Sequence, residues 1–87
     1  MKITRTKYVR VLLFATLKDM AGGREAQVEV PEGASAATLK ACLAQQYPAL
    51  EPVLAHAVVA VNRQYVSADS LIPEGAEIAL FPPVSGG

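Results

Sequence analysis

The sequence predicts an α+β domain in which one main helix covers one face of a mixed sheet of four to five strands. Short runs of β-branched and aromatic residues recur between Pro/Gly turns, and one segment carries an apolar stripe at helical spacing. Of the 87 residues, 52% are hydrophobic and 18% are charged. This composition is typical of a folded globule and not of a disordered chain.

The N-terminal part is predicted to form a β-hairpin. Strands are expected over residues 8–15 and 24–30, where β-branched and other apolar residues are dense or alternate with polar ones. Between them, residues 16–21 can form one helical turn, which Gly22-Gly23 ends.

The main helix is predicted to follow Ser35, which is a suitable N-cap. The apolar residues after it recur every three or four positions, at Ala36, Leu39, Leu43 and Tyr47. Pro48 ends the helix after about 12 residues, because the residue before a proline avoids helical backbone angles.

The C-terminal half is predicted to add three strands and one short extra turn. The turn is expected at residues 50–54, and the strands over 57–61, around Tyr65 and Val66, and over 77–81. The order β-β-α-β-β-β supplies one helix for one sheet face. The β-grasp (ubiquitin-like) fold is the commonest arrangement of this kind.

Strand alternation predicts an apolar sheet face opposite the helix. If Val9, Val11 and Leu13 of the first strand face the helix, Leu12 and Phe14 point away from it. In the last strand Ile78 and Leu80 would then face the helix as well. A single helix cannot cover both faces, so we expect the outer face to be a partner interface. Its apolar residues are Leu12, Phe14, Ala79 and Phe81. The alternative is that Leu12 and Phe14 lie beneath a loop.

Charge and cysteine content exclude several classes of protein. Eight basic side chains balance eight acidic ones, so no nucleic-acid or membrane partner is expected. No stretch is long enough to span a membrane, and Lys18-Asp19 interrupts the only run that resembles a signal peptide. Cys42 is the single cysteine and cannot form an internal disulfide, which favours a cytoplasmic protein.

No catalytic group is recognisable in the chain. Cys42 has no histidine nearby in sequence to activate it and is expected at the boundary of the core. His56 is the only histidine, so a histidine-based metal site lacks companions. The carboxylates are scattered, and no phosphate-binding loop is present. We expect no bound cofactor or metal, and any ATP must bind to a partner.

The C-terminal segment is the most informative part of the sequence. It reads Phe81-Pro82-Pro83-Val84-Ser85-Gly86-Gly87. The two prolines favour an extended stalk that reaches about 20 Å from Pro82 to Gly87. The two glycines lack Cβ atoms and can enter a narrow partner site, with the α-carboxylate as the only charge. We expect a reactive arm; the alternative is a frayed, inert end.

These features divide the chain into three predicted segments. Residues 1–6 form a loose lead-in, residues 7–81 the β-grasp domain, and residues 82–87 the extended tail. Nothing in the sequence indicates a repeat, a linker or a second domain.

Two parts of the sequence resemble the small subunit of molybdopterin synthase, a sulfur carrier of the MoaD/ThiS family. One part comprises residues 61–67 and 72–87, with the ending Phe-Pro-Pro-Val-Ser-Gly-Gly. The other is the run over residues 11–15 followed by Gly22. The resemblance covers nearly the whole chain after Thr6.

The resemblance implies a sulfur-donor subunit without a catalytic site of its own. Gly87 would be adenylated by an E1-like activating enzyme and converted to a thiocarboxylate with sulfur from a donor protein. The tail would then enter the large subunit of molybdopterin synthase and donate sulfur to cyclic pyranopterin monophosphate, which forms the molybdopterin dithiolene. The resemblance also implies a heterotetramer of two small and two large subunits, with Phe14 and Phe81 at the interface. Lys18 matches a position that is usually basic in the family.

Three other functions stay open. The chain could carry sulfur for thiamine or another pathway, because such carriers share the fold and the Gly-Gly end. It could be a ubiquitin-like modifier joined to target lysines through Gly87. It could also be a plain binding module with an inert tail.

Overall fold

A five-stranded mixed sheet is the central element of the computed structural model, which describes residues 5–83. The tail residues Val84, Ser85, Gly86 and Gly87 and the first four residues of the predicted lead-in lie outside this range. In chain order the elements are β1 (Thr6–Leu13), α1 (Thr16–Ala21), β2 (Glu25–Pro31), α2 (Ala36–Gln46), a 3₁₀ turn (Pro48–Leu50), α3 (Glu51–Leu54), β3 (Val58–Val61), β4 (Gln64–Val66) and β5 (Ile78–Phe81). The predicted α+β class and β-grasp arrangement are confirmed.

The first and last strands pair at the centre of the sheet. The strand order is β2-β1-β5-β3-β4. β1 and β5 run parallel, with Val11 opposite Ile78, while every other pair of neighbours is antiparallel. Because β5 lies between β1 and β3, the chain beyond Phe81 leaves from the middle of the sheet.

β1 differs from its predicted limits. It begins at Thr6 and ends at Leu13, two residues earlier at each end than the predicted range 8–15. The early start follows from pairing with β2, which extends to Thr6 opposite Pro31. The early end follows from a turn at Ala15, which takes the chain out of the sheet. The strand therefore starts one residue before the predicted domain start at residue 7.

α2 forms as the sequence predicts. The Ser35 hydroxyl accepts a hydrogen bond from the Thr38 backbone N–H at 3.2 Å, which satisfies one of the free donors of the first turn. The helix ends at Gln46, just before Tyr47-Pro48. Its buried residues are Ala36, Leu39 and Leu43.

No helix among residues 5–83 is long and apolar enough to cross a membrane.

The core lies between the helices and one face of the sheet. The predicted inward set is confirmed, since all five of its members are buried: Val9, Val11, Leu13, Ile78 and Leu80. Leu39 and Leu43 of α2 and Leu17 of α1 are also fully buried in this cluster. The opposite sheet face is left without a helical layer.

The turn after β1 places an alanine in a backbone conformation that favours glycine. Ala15 has φ 55° and ψ −129°, the angles of the first central residue of a type II′ turn. The Leu17 N–H donates to the Phe14 carbonyl at 3.1 Å, which closes this turn. A non-glycine residue in such a region costs on the order of 1–3 kcal/mol. The turn sends Leu17 into the core immediately after Phe14.

Ser35→Ala is expected to lower the free energy of unfolding by about 1 kcal/mol, because the Thr38 N–H loses its acceptor. Ser35→Gly is the matched control. It also lacks the hydroxyl, but glycine suits the N-cap position, so the free energy of unfolding should fall by only roughly a few tenths of a kcal/mol. Urea titrations of the three proteins measure both differences. Equal losses for the two variants would contradict the capping role of Ser35.

Ala15→Gly is expected to raise the free energy of unfolding by about 1 kcal/mol, because relief of backbone strain exceeds the added entropy of the unfolded glycine. Ala41→Gly makes the same substitution at an exposed position inside α2 and should lower it by about 1 kcal/mol. Urea unfolding curves measure the two changes. If a variant keeps the slope of free energy against urea concentration, a shift of its midpoint reports a change in stability. A similar loss in both variants would show that the turn at Ala15 is not strained.

Candidate functional site

The sheet face opposite the helices brings together the four residues predicted for it. Leu12 lies opposite Ala79 in the β1–β5 ladder, and Phe81 ends the same strand as Ala79. Leu12, Ala79 and Phe81 are half-buried, and Phe14 is 41% exposed. The alternation along two neighbouring strands therefore leaves a contiguous apolar surface, which we call the outer face.

Three aromatic rings form the centre of the outer face. Phe14 and Phe81 stack with their ring centroids 4.7 Å apart and their planes 6° from parallel. Tyr65 meets the same Phe81 ring edge-on, at 6.0 Å and 90°. Both arrangements are among those that aromatic pairs favour. Phe81 therefore contacts one ring that follows β1 and one ring of β4, strands that lie in the two opposite directions from β5 across the sheet.

Tyr65 belongs to the outer face but was not predicted to lie there. Its side chain is 74% exposed, the largest exposed fraction among the large hydrophobic residues of the described range. Tyr65 pairs with Ala60 across the β3–β4 hairpin, and Ala60 pairs with Ala79. This pairing register is what indicates that Tyr65 lies on the outer face, and the register depends on how β3 and β5 align.

The outer face contains a shallow hollow of about 250 Å³. It is lined by Leu12, Phe14, Ala60, Arg63, Tyr65, Glu77, Ala79 and Phe81. At its rim, Nε of Arg63 lies 3.3 Å from Oε1 of Glu77. An apolar floor with aromatic residues and a polar rim is the usual anatomy of a protein interface.

The described base of the tail adjoins the aromatic rings. β5 ends at Phe81, and Pro82 and Pro83 follow it directly. Proline has no N–H to donate to a sheet ladder, so β5 cannot continue as a central strand beyond this point. Pro82 is half-buried and Pro83 is exposed. The tail therefore begins at the end of the central strand β5, next to the aromatic rings of the outer face.

The other candidate residues lie elsewhere. Cys42 is half-buried on α2 and packs against the core, as predicted for a boundary position. His56 is exposed in the turn before β3, and Lys18 is exposed on α1. Among residues 5–83, no group of three or more His, Cys, Asp or Glu side chains is placed to hold a metal ion. The side chains that line the hollow suit binding of a partner surface.

Comparisons with known proteins agree with this geometry. The model of the ThiS family matches residues 11–87. A molybdopterin synthase sulfur carrier subunit from Chlamydomonas reinhardtii is 36% identical over 81 residues, which cover 91% of this chain and 98% of that protein. The crystal structure of SAMP1 from Haloferax volcanii matches with a TM-score of 0.78 and 34% identity, over 93% of this chain and 100% of the other.

A further match shows the fold alone. It is a chain in the complex of subunits 1 and 2 of molybdopterin-converting factor from Helicobacter pylori, with a TM-score of 0.62 and 23% identity over 93% of this chain and 100% of the other. The family match extends from the second half of β1 through the outer face to the Gly-Gly end. This chain therefore belongs to the ThiS family, together with the molybdopterin synthase sulfur carrier subunits that it resembles along nearly its whole length.

Proposed function

We propose that this protein is the sulfur-carrier small subunit of a molybdopterin synthase. The observation that carries the proposal is the stacked pair Phe14–Phe81 on an uncovered apolar face, directly where the Pro-Pro stalk begins. This arrangement joins a docking surface to a tail that ends in Gly-Gly. The family match and the name of the Chlamydomonas relative support a sulfur carrier for molybdopterin.

The chemistry of the proposal is located at Gly87. A free carboxylate is a poor electrophile, because its charge repels nucleophiles and oxide does not leave. In the site of an E1-like activating enzyme, a carboxylate oxygen attacks the α-phosphate of ATP and pyrophosphate departs. A donor protein then supplies sulfur at the oxidation level of sulfide, which attacks the acyl carbon and displaces AMP, so that a C–S bond replaces the C–O bond to the phosphate. The resulting thiocarboxylate keeps the negative charge and adds a polarisable, nucleophilic sulfur.

Delivery depends on residues 82–87. The tail enters the large subunit, where its sulfur is transferred to cyclic pyranopterin monophosphate as one of the two sulfur atoms of the dithiolene. Ordering a flexible residue costs about 1–2 kcal/mol, which would weaken binding of a long flexible arm. Pro82 and Pro83 reduce this cost because their φ angles are already restricted. The carrier contributes the sulfur and the docking surface, and we propose that the large subunit contributes the catalytic groups.

The outer face is proposed as the contact with the large subunit, in a heterotetramer of two small and two large subunits. Its aromatic rings present large apolar areas at a low cost in side-chain entropy, and such residues dominate the free energy of protein interfaces. Phe81 is both a member of this surface and the last residue before the stalk. Docking of the outer face therefore also sets the starting point of the tail.

A ubiquitin-like modifier is the second candidate function. The observation in its favour is the similarity to SAMP1 of Haloferax volcanii, which is named a small archaeal modifier protein. In that case the activated Gly87 would be attacked by the amine of a target lysine, with release of AMP. A carrier for thiamine or another pathway is less favoured by the Phe81-Pro82-Pro83 ending.

Incubation of the full chain with its activating enzyme, ATP and a sulfur donor is expected to replace one carboxylate oxygen of Gly87 by sulfur. Intact-mass and C-terminal peptide mass spectrometry measure this replacement. Omission of ATP and a variant that ends at Gly86 are the controls. An unchanged mass would contradict sulfur carriage, and adducts joined to lysines would favour the modifier.

Tyr65→Ala and Phe81→Ala are each expected to weaken binding to a molybdopterin synthase large subunit by about tenfold, because each removes an aromatic anchor. Leu71→Ala is the matched control. Leu71 is 66% exposed and apolar, but it lies beside Ser35, away from the outer face. Titration calorimetry measures the affinities. An equal effect of all three substitutions would argue against docking through the outer face.

A further inference from the structure

The N-terminal half of β1 has one backbone edge that no described residue covers. Val9 and Val11 lie opposite Val28 and Ala26, and the Leu13 N–H bonds to the Arg24 carbonyl of the β2 side. Since neighbouring residues point their backbone groups to opposite sides of a strand, those of Tyr8 and Arg10 point toward β5.

β5 begins too late to reach these groups. Its ladder with β1 starts at Ile78, opposite Val11. Within residues 5–83, no hydrogen-bond partner is found for the N–H and C=O of Tyr8 or for the N–H of Arg10. Among the described residues, these three groups therefore form a short sheet edge without a strand partner, in line with β5, which we call the free edge.

The free edge forms one wall of a groove of about 470 Å³, within the range of about 300–1,000 Å³ usual for ligand sites. Residues 73–78 form the opposite wall. Nζ of Lys7 bridges the two walls, at 3.6 Å from Oε1 of Glu74 and 3.5 Å from the Ile72 carbonyl oxygen. The Lys7 bridge bounds one end of the groove, and the Val11–Ile78 pair bounds the other.

The charges in the groove are already paired. The four charged residues that line it are Lys7, Arg10, Glu74 and Glu77. Lys7 lies 3.6 Å from Glu74, Arg10 lies 3.3 Å from Glu25, and Glu77 lies 3.3 Å from Arg63. A charged small molecule would find no uncompensated partner among these side chains. Apart from the exposed Tyr8 hydroxyl, the polar groups of the groove without a partner among residues 5–83 are those of the backbone, which the main chain of an extended segment complements.

The outer edge of β2 is partly covered by the chain's own groups. The Gln46 side-chain amide donates to the Glu29 carbonyl and accepts from the Glu29 N–H, both at 3.0 Å. Pro31 at the end of β2 has no N–H to offer. This capping hinders strand addition at the Glu29–Pro31 end of β2, whereas the edge at Tyr8 and Arg10 has no equivalent cover in the described range.

The groove is continuous with the outer face. Leu12 and Glu77 line both the groove and the hollow beside the aromatic rings. A partner seated on the outer face therefore reaches the groove directly. We propose that the groove takes an extended segment of the large subunit, whose main chain adds as a short strand beside β1 and bonds to Tyr8 and Arg10. This inference rests on the proposed function, because the large subunit is its partner.

Amide hydrogen exchange followed by NMR tests the inference on the full chain, free and bound to a molybdopterin synthase large subunit. In the free protein the amides of Tyr8 and Arg10 are expected to exchange rapidly, while those of Val9 and Val11 are protected. In the complex, exchange at Tyr8 and Arg10 is expected to slow by about tenfold or more.

Two variants separate strand pairing from simple coverage of the surface. Tyr8→Pro removes the N–H that points into the groove, and Tyr8→Ala removes the ring but keeps the N–H. Tyr8→Pro is expected to bind the large subunit about fivefold more weakly than Tyr8→Ala. Equal affinities, protection already present in the free protein, or unchanged exchange in a complex that does form would overturn the inference alone. Failure of any complex to form would overturn the proposed function as well.

Discussion

The parallel pairing of β1 with β5 is the contact on which the rest of the structure depends. It places the first and last described strands side by side, with Val11 opposite Ile78 and Leu13 opposite Leu80, all of them at most 1% exposed. Burial of side chains of this size contributes about 1.5–3 kcal/mol each. The same pairing sets Phe14 next to Phe81 and directs the C-terminal segment out of the middle of the sheet.

Because helices cover only one face of the sheet, apolar side chains are buried on that face and partly exposed on the other. The inner face is buried by α1 and α2, whereas the outer face keeps Phe14 and Tyr65 at 41% and 74% exposure. Partly exposed aromatic rings gain only part of their burial free energy within the isolated domain, and their exposed area is available to a partner. The strained turn at Ala15 belongs to the same arrangement, because it returns the chain to the core directly after Phe14.

Local patterns predicted the elements well and their limits less well. The N-cap Ser35 and the stripe through Leu39 and Leu43 depend only on residues within one helix, so the sequence contains all that decides them. The limits of β1 depend on its partner strand and on the turn at Ala15, which are not local. Alternation located Leu12 and Phe81 on the outer face, but Tyr65 was missed because its face follows from the β3–β5 register.

The sequence by itself determined that residues 82–87, Pro-Pro-Val-Ser-Gly-Gly, carry no ionisable side chain, that basic and acidic side chains balance, and that the elements follow the β-grasp order. Only the tertiary structure decided which rings meet Phe81, and that the backbone at Tyr8 and Arg10 faces an open groove. The physical reason is that the type of a residue and the periodicity of the pattern around it are local properties of the chain. Contacts between strands as distant as β1 and β5 are set by the pairing register, which the buried side chains select together.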